Sequence, residues 1–94
     1  MTNSNIETHR VIFHGRVQGV GFRWTTNRIA KRFAVTGYVK NLADGTVELV
    51  AQGSSEAVLG LVQAIQESMG ANIADCVDDR VESTEEFDRF EIRR

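Results

Sequence analysis

Apolar residues either alternate with polar ones or recur every three to four positions through successive stretches of the chain, and turn residues separate most of these stretches. Val11 and Phe13 lie on one face with Ile12 between them, so Arg10 to Val17 reads as a strand. Phe22, Thr26, Ile29, Ala30 and Phe33 then recur at helical spacing while Arg28, Lys31 and Arg32 fall on the opposite side, which predicts an amphipathic helix of about twelve residues. Thr36 to Leu42 and Thr46 to Gly53 read as two short strands, the second alternating Val47, Leu49 and Ala51 against Glu48, Val50 and Gln52. Asp44-Gly45 between them is a hairpin signal.

Ser54 and Ser55 offer N-caps to a second helix, Glu56 suits its first turn, and Val58, Leu61, Val62, Ile65 and Met69 supply its apolar stripe up to a stop at Gly70. Gly60 inside this helix predicts close packing on a strand. Ile73 to Ser83 alternates weakly and carries many acids. Phe90 and Ile92, preceded by Phe87, make a short final strand. The order strand, helix, strand, strand, helix, strand, with a terminal addition, predicts an α+β, ferredoxin-like split βαβ sandwich (βαββαβ). Its antiparallel sheet carries two helices on one face. Residues 1–8 are expected to form a flexible N-terminal tail ahead of one domain over 9–94.

Composition narrows the class. With 41% hydrophobic and 26% charged residues, the chain has the make-up of a soluble globular domain rather than a disordered one. The first five residues are polar, without the basic start and apolar run of a secretory signal. No stretch approaches the roughly 18–20 apolar residues that span a bilayer. A cytoplasmic location with no membrane partner is the expectation. The single Cys76 cannot pair within the chain, which suits a reducing compartment, and it is expected to behave as a small buried hydrophobe. Charge is uneven: up to Leu42 seven Lys and Arg face Glu7 alone, whereas from Ala43 onward four face twelve acids. The basic half could draw in a small anion, unless folding interleaves the two halves.

That basic half contains Gly15-Arg16-Val17-Gln18-Gly19-Val20-Gly21-Phe22-Arg23, a glycine-punctuated loop running from a strand into a helix. Glycines let the backbone curl until several N–H groups face one point, and the helix start adds positive partial charge there. A guanidinium can close on a phosphate from the side. The arginine is informative, because a cation in a first helical turn is unfavourable unless an anion compensates it. The pattern is neither Gly-x-Gly-x-x-Gly nor followed by Gly-Lys-Ser/Thr, so dinucleotide and nucleoside triphosphate sites lack their defining residues. His9 and His14 have no Cys, Asp or Glu set at ligand spacing, which argues against a metal site and leaves both as structural or surface residues. Asp78-Asp79 lies in an acidic strand and reads as a solvated face. Asp44 is accounted for by its turn.

The nine-residue loop, followed by Thr36-Gly37-Tyr38-Val39-Lys40-Asn41-Leu42-Ala43-Asp44-Gly45, resembles the two-part signature of the acylphosphatases, and the resemblance runs from about Arg10 to the closing Phe90-Glu91-Ile92-Arg93. It implies the same ferredoxin-like fold and hydrolysis of the carboxyl-phosphate bond of small acyl phosphates, with no cofactor and no metal. Inorganic phosphate or sulfate is the implied product or analogue. Carried over, Arg23 is the phosphate-binding arginine, Asn41 holds the attacking water, and Val17, Gln18, Gly19, Val20, Gly21 and Phe22 supply the phosphate cradle. Ala43 stands where many members carry proline, and Ser54-Ser55 replaces a Gly-Pro type helix start. A monomer is expected, with no nucleic-acid partner. Two other readings of the same fold are an anion-binding module without turnover and an RNA-binding sheet. The second lacks the Lys/Arg-Gly-Phe/Tyr signature, and Phe13 and Tyr38 are its only candidate stacking aromatics.

Overall fold

The structure, a computed structural model, describes residues 6–83 and 85–94. Strand β1 (Ile6–Gly15) leads through a loop to helix α1 (Phe22–Ala30), and β2 (Val35–Asn41) and β3 (Val47–Ser54) form a hairpin. Helix α2 (Ser55–Met69) and a 3-10 turn (Gly70–Asn72) precede β4 (Ile73–Val81), and β5 (Phe90–Arg93) closes the chain. The sheet order is β4-β1-β3-β2-β5. β3 is antiparallel to both β1 and β2, and β1 is antiparallel to β4, as a split βαβ arrangement requires.

The expected antiparallel sheet needs one correction: β5 joins β2 in parallel, Gly37 opposite Phe90 and Val39 opposite Ile92, so the five-stranded sheet is mixed. The chain returns along the edge of β2 after crossing from β4, and the direction of β5 follows from that return. Four residues make a weak strand, and side chains reinforce it. Arg93 stacks its guanidinium 4.2 Å from the Tyr38 ring centroid, and Lys31 Nζ of α1 donates to the Phe90 carbonyl at 2.9 Å.

Other boundaries shift for local reasons. β1 begins at Ile6, where Ile6 pairs with Ser54 and Thr8 with Gln52, so residues 6–8 belong to the sheet rather than to a tail over 1–8; residues 1–5 lie outside the described residues. α1 spans nine residues, not about twelve. Lys31, Arg32 and Phe33 bond back to the carbonyls of Arg28, Ile29 and Ala30, the tighter i to i−3 pattern that ends helices. Ser54 does cap α2, its side chain accepting from the Ala57 N–H at 3.1 Å. The nearest neighbour of Gly60 is a side chain rather than a strand backbone. A Cβ there would lie 2.8 Å from the Phe33 ring, so the missing side chain lets α2 sit over the residue that follows α1.

The core lies between sheet and helices. Val11 and Phe13 of β1, Val39 of β2, Leu49 and Ala51 of β3, Phe22 and Ile29 of α1, and Val58, Leu61 and Ile65 of α2 are all buried. The Phe13 and Phe22 rings meet at 5.1 Å between centroids, a tilted contact that fixes the start of α1 on β1. On the sheet's other face, Glu48 accepts from Arg10 Nε at 2.6 Å and from the Tyr38 hydroxyl at 3.0 Å.

Candidate active site

The loop between β1 and α1 is built as backbone held between buried anchors. Val17 at one end and Phe22 at the other are 1% and 2% exposed, so their side chains belong to the core and only their main chains face the loop. Gly19 and Gly21 take φ of 77° and 78°, in the left-handed region open to glycine, and apart from the adjacent residues no atom of the described residues lies within 4 Å of where a Cβ would stand at either. Their bare backbones are open to close approach from outside. Gly21 is also the N-cap of α1, and it contributes no side-chain cap to the helix's first N–H groups.

Arg23 sits in that first turn, which holds no acidic residue. Among the described residues it makes no ion pair. Cationic charge and helix dipole thus point the same way, the reverse of the stabilising arrangement, and an anion is the complement that relieves both. Asn41 ends β2, where it pairs with Val47 of β3. Its Oδ1 is buried and has no hydrogen-bond partner among the described residues. Leaving such an acceptor unmade costs about 1–3 kcal/mol, so the position carries a cost that folding alone does not explain.

Gln18 joins these two parts. Its Nε2 donates to the carbonyls of Leu42 and Thr46, each at 2.8 Å, and ties the loop to the β2–β3 turn directly after Asn41. The side chain is therefore a brace, and only the Gln18 main chain remains for the cradle. The turn is locked in its own right. Asp44 Oδ1 accepts from the Thr46 hydroxyl at 2.6 Å and from the Thr46 N–H at 3.0 Å, and these bonds hold its carboxyl below the usual range. A carboxylate so engaged is a poor base, in keeping with a turn role.

Arg23, Asn41, Gly19 and Gly21 line one cavity of about 190 Å³, with Val17 and Phe22 at its base. Trp24, Ile92 of β5 and Arg94 just after it complete the wall, and none of the lining residues is acidic. Val20 does not line it and is 39% exposed. A larger cavity of about 1070 Å³ lies elsewhere, beside Glu7, Gln52 and Arg80, and contains neither Arg23 nor Asn41. The smaller one gathers open glycine backbone, a guanidinium without an ion pair among the described residues and an amide in one place, equipment suited to an anion and a neighbouring polar molecule.

The residues set aside on sequence grounds lie away from this cavity. His9 is buried, with Nδ1 2.7 Å from Asp78 and Nε2 2.8 Å from Glu7. Asp78 and Asp79 lie on an exposed stretch of β4, as expected, and Asp78 also ties β4 to β1 through His9. Cys76 is only partly buried, and burial pushes its thiol up, aided by Asp78 and Asp75.

A five-stranded α+β domain with an arginine-bearing glycine loop opposite a buried amide is the class that fold and site define. The acylphosphatase family profile matches residues 9–92. An acylphosphatase of Bacillus licheniformis is 42% identical over 83 residues, covering 88% of this chain and 90% of that protein. Among solved structures, an acylphosphatase from Bacillus subtilis superposes with a TM-score of 0.85 at 36% identity, covering 94% of this chain and 99% of that one. One from Coxiella burnetii gives 0.83 at 30% identity, with 99% and 100% covered. The chain belongs to the acylphosphatase family.

Proposed function

We infer that the chain hydrolyses the carboxyl-phosphate bond of small acyl phosphates by in-line attack of water, with no metal or cofactor. The observation that carries this is the shared cavity: Arg23, which makes no ion pair among the described residues, and Asn41, from a distant part of the chain, line one space together with open glycine backbone. In this reading the N–H groups from Val17 to Phe22 and the fork of Arg23 hold the phosphoryl oxygens and stabilise their charge as the bond to phosphorus changes. Arginine suits the task because its planar donors engage two oxygens at once.

Asn41 orients the water. Its Oδ1 accepts one water proton, which leaves an oxygen lone pair for phosphorus. The water oxygen bonds to phosphorus, the bridging P–O bond breaks, and its electron pair leaves on the carboxylate. Both water protons finish on the phosphate. A carboxylate is a weak base and departs without a strong general acid, so no titrating side chain is needed at either end. We place the enzyme in the cytoplasm as a monomer, because one chain supplies every group of the site and its single cysteine suits a reducing compartment.

The test is release of inorganic phosphate from acetyl phosphate in the presence of a chelator, with Arg23→Ala alongside. Wild-type turnover is expected to survive chelation and to fall on the order of 10³-fold or more in the variant. Undiminished activity in Arg23→Ala, or loss on chelation, overturns the mechanism.

A further inference from the structure

One wall of the cavity has no part in the chemistry above. Trp24 directly follows Arg23 and lines the same space, yet it is 59% exposed. A lone exposed aromatic is ordinary on a protein surface. This one also has a stacking partner. The Arg28 guanidinium, one helical turn further on, lies 4.8 Å from the centre of the indole and covers one face of it. With that face against Arg28 and most of the residue still exposed, the ring presents an apolar surface beside the cavity. Ile92, brought in by β5, adds a second apolar wall.

Resting on the acyl phosphate reading, the geometry points to Trp24 as the residue that selects the acyl group, favouring acyl phosphates with a flat aromatic acyl group over small aliphatic ones. When the phosphoryl oxygens face the loop N–H groups and Arg23, the acyl substituent projects out of the cavity, where the apolar surface is that of Trp24 and Ile92. An aromatic acyl group can stack on the indole or meet its edge, whereas a methyl group covers little of it. Arg28 makes the platform effective by restricting the ring before substrate arrives, so less ordering remains to be done on binding.

Benzoyl phosphate and acetyl phosphate separate the outcomes. Trp24→Ala is expected to lower the ratio of kcat/KM for benzoyl phosphate to that for acetyl phosphate about 5-fold, the loss appearing in KM for benzoyl phosphate, as befits one aromatic contact. Trp24→Phe should restore most of the ratio. Trp24 is the only tryptophan in the chain, so its fluorescence reports the contact without turnover. Benzoylphosphonate should quench the wild-type emission at saturation, and inorganic phosphate should quench it much less. A ratio unchanged in Trp24→Ala, or equal quenching by the two ligands, overturns the assignment of Trp24. Wild-type protein inert towards both substrates overturns instead the reading on which it rests.

Discussion

Asn41 shows at the scale of a single residue how function and stability can pull apart. Its buried oxygen has no hydrogen-bond partner among the described residues, so no protein group offsets its desolvation. Asn41→Ala is therefore expected to lose kcat on the order of 10²-fold, through a water no longer placed in line. Competitive inhibition by inorganic phosphate should persist, and the melting temperature should not fall. A drop in phosphate affinity matching the drop in kcat would show that Asn41 binds phosphate rather than water. Gly15 behaves oppositely. It takes φ of 128°, and a Cβ there would run into the Asn72 carbonyl and lie 2.6 Å from the Ala74 N, both of them backbone that cannot swing aside. Gly15→Ala should cost about 3 kcal/mol, read as a lowered midpoint in urea unfolding. Much of this was legible in the sequence. Glycine spacing and an arginine in a first turn are local signals, whereas the burial of the Asn41 oxygen depends on what packs around it.

Between elements, the feature that matters is the tie from the loop to the β2–β3 turn. Arg23 rides on α1 and Asn41 on β2, and the distance between them is set by β1, by Phe22 seated on Phe13, and by the two bonds from Gln18. Gln18→Ala removes both bonds, while the Leu42 and Thr46 carbonyls keep the turn bonds they accept from the Gly45 and Leu42 N–H groups. It is expected to destabilise by about 1–2 kcal/mol and to lower kcat more than it raises KM, because the loop keeps its glycines while its register against Asn41 loosens. Equal effects on kcat and KM for acetyl phosphate would mean that Gln18 contributes to the cradle itself. Sequence pattern located the loop and the turn, but not the brace. A glutamine in a glycine loop resembles any polar surface residue until its partners are known. Trp24 did leave a signal, as a large apolar residue off the helical stripe of Phe22, Thr26, Ile29 and Ala30.

Across the whole molecule, the His9 cluster bears on the pH range of stability. Glu7 and His9 of β1 meet Asp78 of β4, and Arg80 lies 3.5 Å from Glu7. Burial lowers the His9 pKa, but the bonds to Glu7 and Asp78 outweigh it and the net direction is upward from 6.5. Glu7 moves downward from 4.5, chiefly through its bond to His9. A raised histidine gives stability that is complete below its unfolded pKa and lost as pH rises through the folded one. A lowered carboxylate gives stability that is complete above its unfolded pKa and lost as pH falls through the folded one. Both contributions are whole between pH 4.5 and 6.5 and decline on either side. The difference in melting temperature between wild type and His9→Gln should be largest in that window and shrink above it. A difference independent of pH would show that His9 serves by packing alone.

What the sequence by itself determined is what short stretches of chain encode. The strand at β3, the stripe of α2, the Ser54 cap and the left-handed turns at Gly19 and Gly21 follow from side-chain period and backbone sterics over a few residues. The order of strands around a split βαβ core follows almost as directly, since few arrangements bury two apolar helix faces on one sheet. Only the tertiary structure decided that β5 runs parallel to β2 and carries Ile92 and Arg94 to the cavity. It alone set His9 between two carboxylates and left the Asn41 oxygen without a partner. Those outcomes depend on contacts between residues far apart in the chain, where a neighbour's identity is set by packing and leaves no periodic trace in the sequence.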